Sequence, residues 1–187
     1  MSNLSDEASM MPGILDFFGK DYNFDILREW IESNKSRTNR KSLRLLEWFN
    51  TNYSKQYNVE YNIKKGSEIR TIYVWDKYNS ALSSGYRKRL LDPFGRGKRD
   101  GKIICIEHNG TVVQSTLAQL NYFQWAIKNG VIDYVEKHLD VIYNDMIARM
   151  PKHHRASSKV NKSMVTATKT LQKHNVHMSI VFTPKNH

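Results

Sequence analysis

From residue 42 onward the apolar positions recur mostly at helical spacing. Leu43, Leu46, Phe49 and Tyr53 share one face behind Ser42. Val74, Tyr78, Ala81, Leu82 and Gly85 share another, which Asp92-Pro93 with Gly95 and Gly97 brings to an end. Thr116 is placed to cap a helix carrying Leu117, Leu120, Phe123 and Ile127, closed by Asn129-Gly130. Val131 to Met150 reads as one further helix stopped by Pro151, and its broad apolar set (Val131, Ile132, Val135, Leu139, Ile142, Met146) predicts that it occupies the centre of the core. Upstream, Asn23 is positioned to cap a short helix bearing Ile26, Leu27, Trp30 and Ile31. The polar stretch SNKSRTNRKS then reads as a linker, and residues 1 to about 12 read as disordered.

A period of two is rarer. KIICIEH, Asn109-Gly110 and TVVQS form a hairpin pattern over 102–115, with the residue pair that a type I′ turn prefers. VHMSIVF near the end alternates in the same way and predicts a strand over 176–182. Two strands alone are marginal, so this strand is expected to join the hairpin in a three-stranded antiparallel sheet. Asn58 to Arg70, with Val59, Tyr61 and Ile63 alternating, reads as either a short strand or a loop. The expected fold is α+β: a helix-dominated single domain over 21–187 with a small antiparallel sheet, preceded by an acidic, disordered segment over 1–20 and without internal repeats.

Charge changes the picture. The last acidic residue is Asp145, and the 42 residues from Met146 to His187 carry eight Lys/Arg against no Asp or Glu. On a helical period over 158–175, Val160, Met164, Ala167 and Leu171 fall in one arc. Lys159, Lys162, Lys169 and Lys173 fall nearly opposite, with Thr166 and Thr170 among them. Ammonium and hydroxyl donors in a row suit phosphate oxygens. A second basic concentration comprises Arg87, Lys88, Arg89, Arg96, Lys98, Arg99 and Lys102, and a third places Trp48 among Lys41, Arg44 and Lys55, where an indole could stack on a base or ribose. A formal net charge of +11 favours a polyanionic partner before any specific contact forms. Residues 1–34 sum to −5, so they could mask the basic surface in cis.

Other chemistries find little support. The single cysteine, Cys105, precludes an intramolecular disulfide and alternates with Ile104 and Ile106, so a buried, inert thiol is expected. No run of 18 apolar residues and no secretory signal is present, which predicts an intracellular protein without a membrane partner. HExxH, CxxC, GxSxG and EF-hand patterns are absent, GRGKRDG lacks P-loop spacing, and His153-His154 point about 100° apart on a helix, so no metal or cofactor is expected. Asp92, Asp100 and Glu107 admit a metal-dependent nuclease only loosely, because the two aspartates are better placed as turn residues and Glu107 faces outward on the hairpin.

The stretches SLRLLEWFNTNYSKQYNV (42–59), YRKRLLDPFGR (86–96) and TLAQLNYFQWAIKNGVIDYV (116–135), with the closing basic helix and strand, resemble a small basic protein shared among large nucleocytoplasmic DNA viruses. The resemblance spans about 40–183, leaves the N-terminal forty residues outside, and supplies no catalytic residue. It implies a viral factory in host cytoplasm or nucleus, or a virion, with much DNA to organise. The expected function is non-enzymatic binding of nucleic acid, double-stranded DNA first, through largely sequence-independent phosphate contacts, with self-association as a further expectation. Two other classes stay open: a sequence-specific winged-helix-like regulator, and a virion structural or adaptor protein with Tyr122 and Trp125 as contacts.

Overall fold

The computed structural model describes residues 3–36, 38–86, 90–95 and 103–150, which belong to one compact unit. Helix α1 (Asn3–Phe18) is followed by α2 (Asp21–Ser33) and, after the linker, by α3 (Leu43–Trp48). A π-helical turn at Phe49–Tyr53 carries α3 without interruption into the short α4 (Ser54–Gln56). Strands β1 (Glu60–Lys65) and β2 (Glu68–Tyr73) form an antiparallel hairpin. Then come α5 (Val74–Ser80), ending in a second π-helical turn at Ala81–Gly85, and the hairpin of β3 (Ile104–His108) and β4 (Thr111–Ser115). Helices α6 (Leu117–Lys128), α7 (Val131–Lys137) and α8 (Leu139–Arg149) complete the described part. It is a helix-dominated α+β domain with two separate two-stranded sheets.

Local chemistry accounts for several boundaries. Ser42 and Thr116 cap α3 and α6 with their hydroxyls, accepting the Leu45 and Gln119 amides as their positions predict. Asn109 (φ 49°) and Gly110 (φ 74°) both adopt the left-handed conformation a type I′ turn demands, and the register pairs Ile106 with Val113, both buried. Cys105 lies between the inward-facing Ile104 and Ile106 and therefore points away from the core; it is exposed, contrary to the buried thiol expected from its apolar neighbours.

The centre of the core is α6, not the long segment after it. Ala118 through Ala126, nine consecutive residues, are buried. The segment expected to be one central helix is two: His138 leaves helical geometry (φ −117°, ψ 23°), with its ring stacked on Tyr134 at 4.2 Å and Nδ1 2.9 Å from the Tyr134 carbonyl. Residues 3–18, expected to be disordered through about residue 12, form α1 and bury Ile14 and Phe18 against the core. Asn23 is not the cap of α2. Lys20 holds that position without a side-chain bond, and the Asn23 amide instead donates 2.8 Å to the Phe17 carbonyl, closing the α1–α2 corner. Hairpin β1–β2 resolves the strand-or-loop ambiguity at 58–70; Ile72 is its single fully buried side chain, so its alternation is faint in the sequence. The C-terminal strand at 176–182 lies outside the described residues.

Gly130 links α6 to α7 at φ +66°, and a Cβ there would lie 2.9 Å from Ile63 Cγ2 and 3.4 Å from Tyr61 Cε2. Conformation and space both demand glycine. Gly130→Ala is expected to destabilise the domain by about 1–3 kcal/mol, lowering Tm by roughly 3–9 °C in a thermal melt followed by circular dichroism.

Candidate nucleic-acid interface

Of the residues whose type and spacing point to phosphate contacts, Lys41, Arg44, Trp48 and Lys55 lie in the described part. Lys159, Lys162, Thr166, Lys169, Thr170 and Lys173 lie outside it, as do Arg87, Lys88, Arg89, Arg96, Lys98, Arg99 and Lys102.

The structure separates Lys41 from the other three. Its ammonium donates to Glu29 on α2 and, at 3.0 Å, to Glu136 on α7; burial opposes the charge, but these two carboxylates outweigh it and raise the lysine pKa. Glu136 also accepts the Trp30 indole N–H at 3.2 Å. Lys41 is thus a tie between α2 and α7 and offers no free charge to a ligand. The cause is tertiary: the linker carrying it runs past acidic positions that helical spacing on its own segment does not reveal.

Trp48 and Lys55 stay together. They line an open depression of about 550 Å³ with Thr51, Asn52, Gln56 and Arg149. Arg44, one helical turn before Trp48, is exposed. Trp48 is half-buried, packed against the core while it lines the depression. Its N–H donates 2.9 Å to Asp145 Oδ2, and Asp145 Oδ1 accepts the Tyr57 hydroxyl (2.9 Å) and Arg149 Nε (2.7 Å). Arg149 also donates to the Gln56 amide oxygen and, at 3.1 Å, to the Tyr57 hydroxyl. One carboxylate on α8 therefore fixes the indole, the phenol and the guanidinium around the depression. Lys55 Nζ sits 4.9 Å above the Trp75 ring. Among the described residues, ion pairs engage Arg28, Arg40, Lys41, Arg70, His108 and Arg149; Arg44 and Lys55 take part in none of them.

Arg149 belongs to this depression but escapes a reading of residues 41–55, since it arrives from α8, 94 positions after Lys55. A separate set of lysines was equally hidden. Lys64, Lys128 and Lys137, from β1, α6 and α7, line a second pocket, and no stretch of sequence places them side by side. Among the described residues no cluster of three or more His, Cys, Asp or Glu is placed to hold a metal ion. Asp92 Oδ1 accepts the Phe94 amide at 3.1 Å as a turn residue, Glu107 is exposed on β3, and Asp100 is outside the described residues. Tyr122 and Trp125, weighed as adaptor contacts, are core residues at 0% and 6% exposure, out of a partner's reach.

Replacing Asp145 with Asn removes the charge that holds three donors. Its side chain is 10% exposed, and the expected cost is about 1–3 kcal/mol in denaturant unfolding, with a displaced Trp48 indole N–H resonance in proton–nitrogen spectra. Unchanged stability and an unmoved resonance would show that the carboxylate does not organise this depression.

The chain is similar over 107 residues, at 45% identity, to "Uncharacterized protein L507" of Acanthamoeba polyphaga mimivirus, a viral protein. That alignment covers 56% of the chain and 41% of the relative, so the chain spans less than half of the relative's length. No solved structure matches it. A model for a family of unknown function, DUF7197, matches residues 4–184, so all but the first three of the N-terminal forty residues, expected to stand apart from the resemblance, lie within the match. The chain belongs to the DUF7197 family.

Proposed function

We propose that this protein binds nucleic acid, duplex DNA in the first place, through largely sequence-independent phosphate contacts, and that it packages or organises viral genomic DNA without catalysing a reaction. The observation that carries the reading is the partition of charge. In the described domain, arginines and lysines are repeatedly matched by carboxylates of neighbouring elements, as in Lys41 with Glu29 and Glu136 or Arg149 with Asp145. Beyond Arg149 the chain supplies seven further Lys/Arg and no acidic residue. An excess of cations over acids on this scale releases condensed counterions when it meets a phosphate backbone, which favours binding by entropy.

The depression at Trp48 adds to this reading an indole, two amides and the Lys55 ammonium, which forms no ion pair among the described residues. Lysines act as flexible point charges and discriminate poorly between bases, which suits packaging better than the reading of one operator. Such a protein would act where viral DNA accumulates, in a viral factory, and accompany it into the particle.

About seven phosphate contacts predict a log–log salt slope near −6 in electrophoretic shift assays with duplex DNA. Charge reversal of Lys159, Lys162, Lys169 and Lys173 to Glu is expected to reduce that slope to about −2 to −3 and to weaken binding by at least about a hundredfold, with the circular-dichroism spectrum unchanged. Equal retention by the folded variant would remove the proposed surface, and one protected sequence in a footprint would favour a sequence-specific regulator instead.

A further inference from the structure

The second pocket, of about 360 Å³, opens between β1 and the α6–α7 junction. Lys64, Lys128 and Lys137 line it, and Asp133 is the one carboxylate in its wall. Asp133 is already engaged, accepting the Tyr22 hydroxyl at 3.0 Å. Among the described residues, none of the three lysines forms an ion pair. Two further lysines reinforce the field, because Lys128 is held below the ordinary lysine pKa by desolvation and then by repulsion from Lys65 and Lys20. Lys65 faces Glu68 across the hairpin, but that carboxylate is bonded to Arg70 at 2.7 Å. Three ammonium groups around one concavity face a single carboxylate, so the pocket keeps a net positive charge.

We propose that this pocket binds an oligophosphate anion of two or three linked phosphates. The walls say which part of a ligand it recognises. Tyr134, the ring that could stack a base, already packs against Tyr61 (4.8 Å, 18°), His138 (4.2 Å, 24°) and Phe49 (5.5 Å, 31°). Recognition rests on charge. The volume stands at the small end of ligand pockets, about 300–1,000 Å³, and admits a compact chain of phosphates. Lysine ammoniums grip such groups as point charges without the planar match that arginine requires. The phosphates could come from a free oligophosphate, such as the triphosphate of a nucleotide, or from successive phosphates of a nucleic-acid backbone, which sugars separate; both present anionic phosphate oxygens.

The test is calorimetric titration of the full chain with sodium tripolyphosphate at low salt, with sulfate as the single-anion control. One saturable site is expected. Its affinity should fall by about tenfold or more in Lys128→Met and in Lys64→Met, the loss of one charge-assisted hydrogen bond, and stay unchanged in Lys77→Met, an exposed lysine of α5 outside the pocket. Lys128→Met removes a repelled charge and also its contact with the Phe17 ring at 5.1 Å, so a thermal melt of each variant separates lost binding from lost folding. Absence of saturable heat, or one affinity across all variants, overturns the site. Displacement of tripolyphosphate by ATP identifies a free anion as a source, and displacement by a short blunt duplex identifies the nucleic-acid backbone. Weakened duplex binding in Lys128→Met without any tripolyphosphate binding would assign these lysines to the DNA surface and overturn the oligophosphate site. Duplex retention is read separately by electrophoretic shift, so either proposal can fail while the other stands.

Discussion

A buried helical stretch must find partners for its amide and hydroxyl side chains, and residues 118–126 of α6 include four. Gln119 Nε2 donates to the Pro93 carbonyl (2.7 Å), Asn121 Nδ2 to that of Leu90 (3.1 Å) and Gln124 Nε2 to that of Gly13 (3.4 Å), while the Tyr122 hydroxyl takes the Asn50 amide at 2.6 Å. An unmet buried amide costs about 1–3 kcal/mol. The helix can therefore be central only if the 90–95 turn, α1 and the π-helical turn at Phe49–Tyr53 stand where they do. Apolar packing alone would tolerate rotations of those elements that the hydrogen bonds forbid.

The same constraint reaches the candidate interface. Asn50 lies in the π-helical turn between α3 and α4, wholly buried and tied to Tyr122. Its own side-chain oxygen has no partner among the described residues, so the contact is held on one side only. The wider turn keeps Phe49 and Asn50 facing inward while Trp48, Thr51, Asn52 and Lys55 line the depression outside. Asp145 then joins α8 to that face through Trp48 and Tyr57. Core and surface are two sides of one helical segment.

Electrostatics divides the molecule along similar lines. Within the described domain, cations whose neighbours are acidic serve as ties: Lys41 between α2 and α7, and Arg40, from the linker, to Asp140 on α8. Cations without such neighbours stay available, and they collect at Arg44 and Lys55 on one helix and around the pocket of Lys64, Lys128 and Lys137. Exposed ion pairs add little stability each, roughly 0–1 kcal/mol, but every one removes a charge that a polyanion would otherwise meet. Net charge thus overstates the surface open to a ligand, and pairing geometry decides which residues contribute.

Elements whose signal is local were legible without coordinates. The Asn109-Gly110 hairpin, the Ser42 and Thr116 caps and the helical faces at 43–53, 74–85 and 117–127 depend on turn chemistry and short-range periodicity, which neighbouring residues carry themselves. Helix-dominated α+β architecture and the basic balance followed from the same positions. Other features needed the tertiary structure because their cause lies far along the chain. Helix α1 is held by burial of Ile14 and Phe18, which an acidic, polar segment conceals. The break at His138 depends on a ring stacked against Tyr134, and the exposure of Cys105 on which face of a hairpin meets the core. The candidate sites divide in the same way: residue type marks Trp48 and Lys55 within one helical segment, but no periodicity brings Arg149 to them, turns Lys41 toward Glu136, or gathers three lysines around one pocket. Charge is a property of sequence, whereas its neutralisation is a matter of distance, and distance is set by the packing of elements remote in the chain.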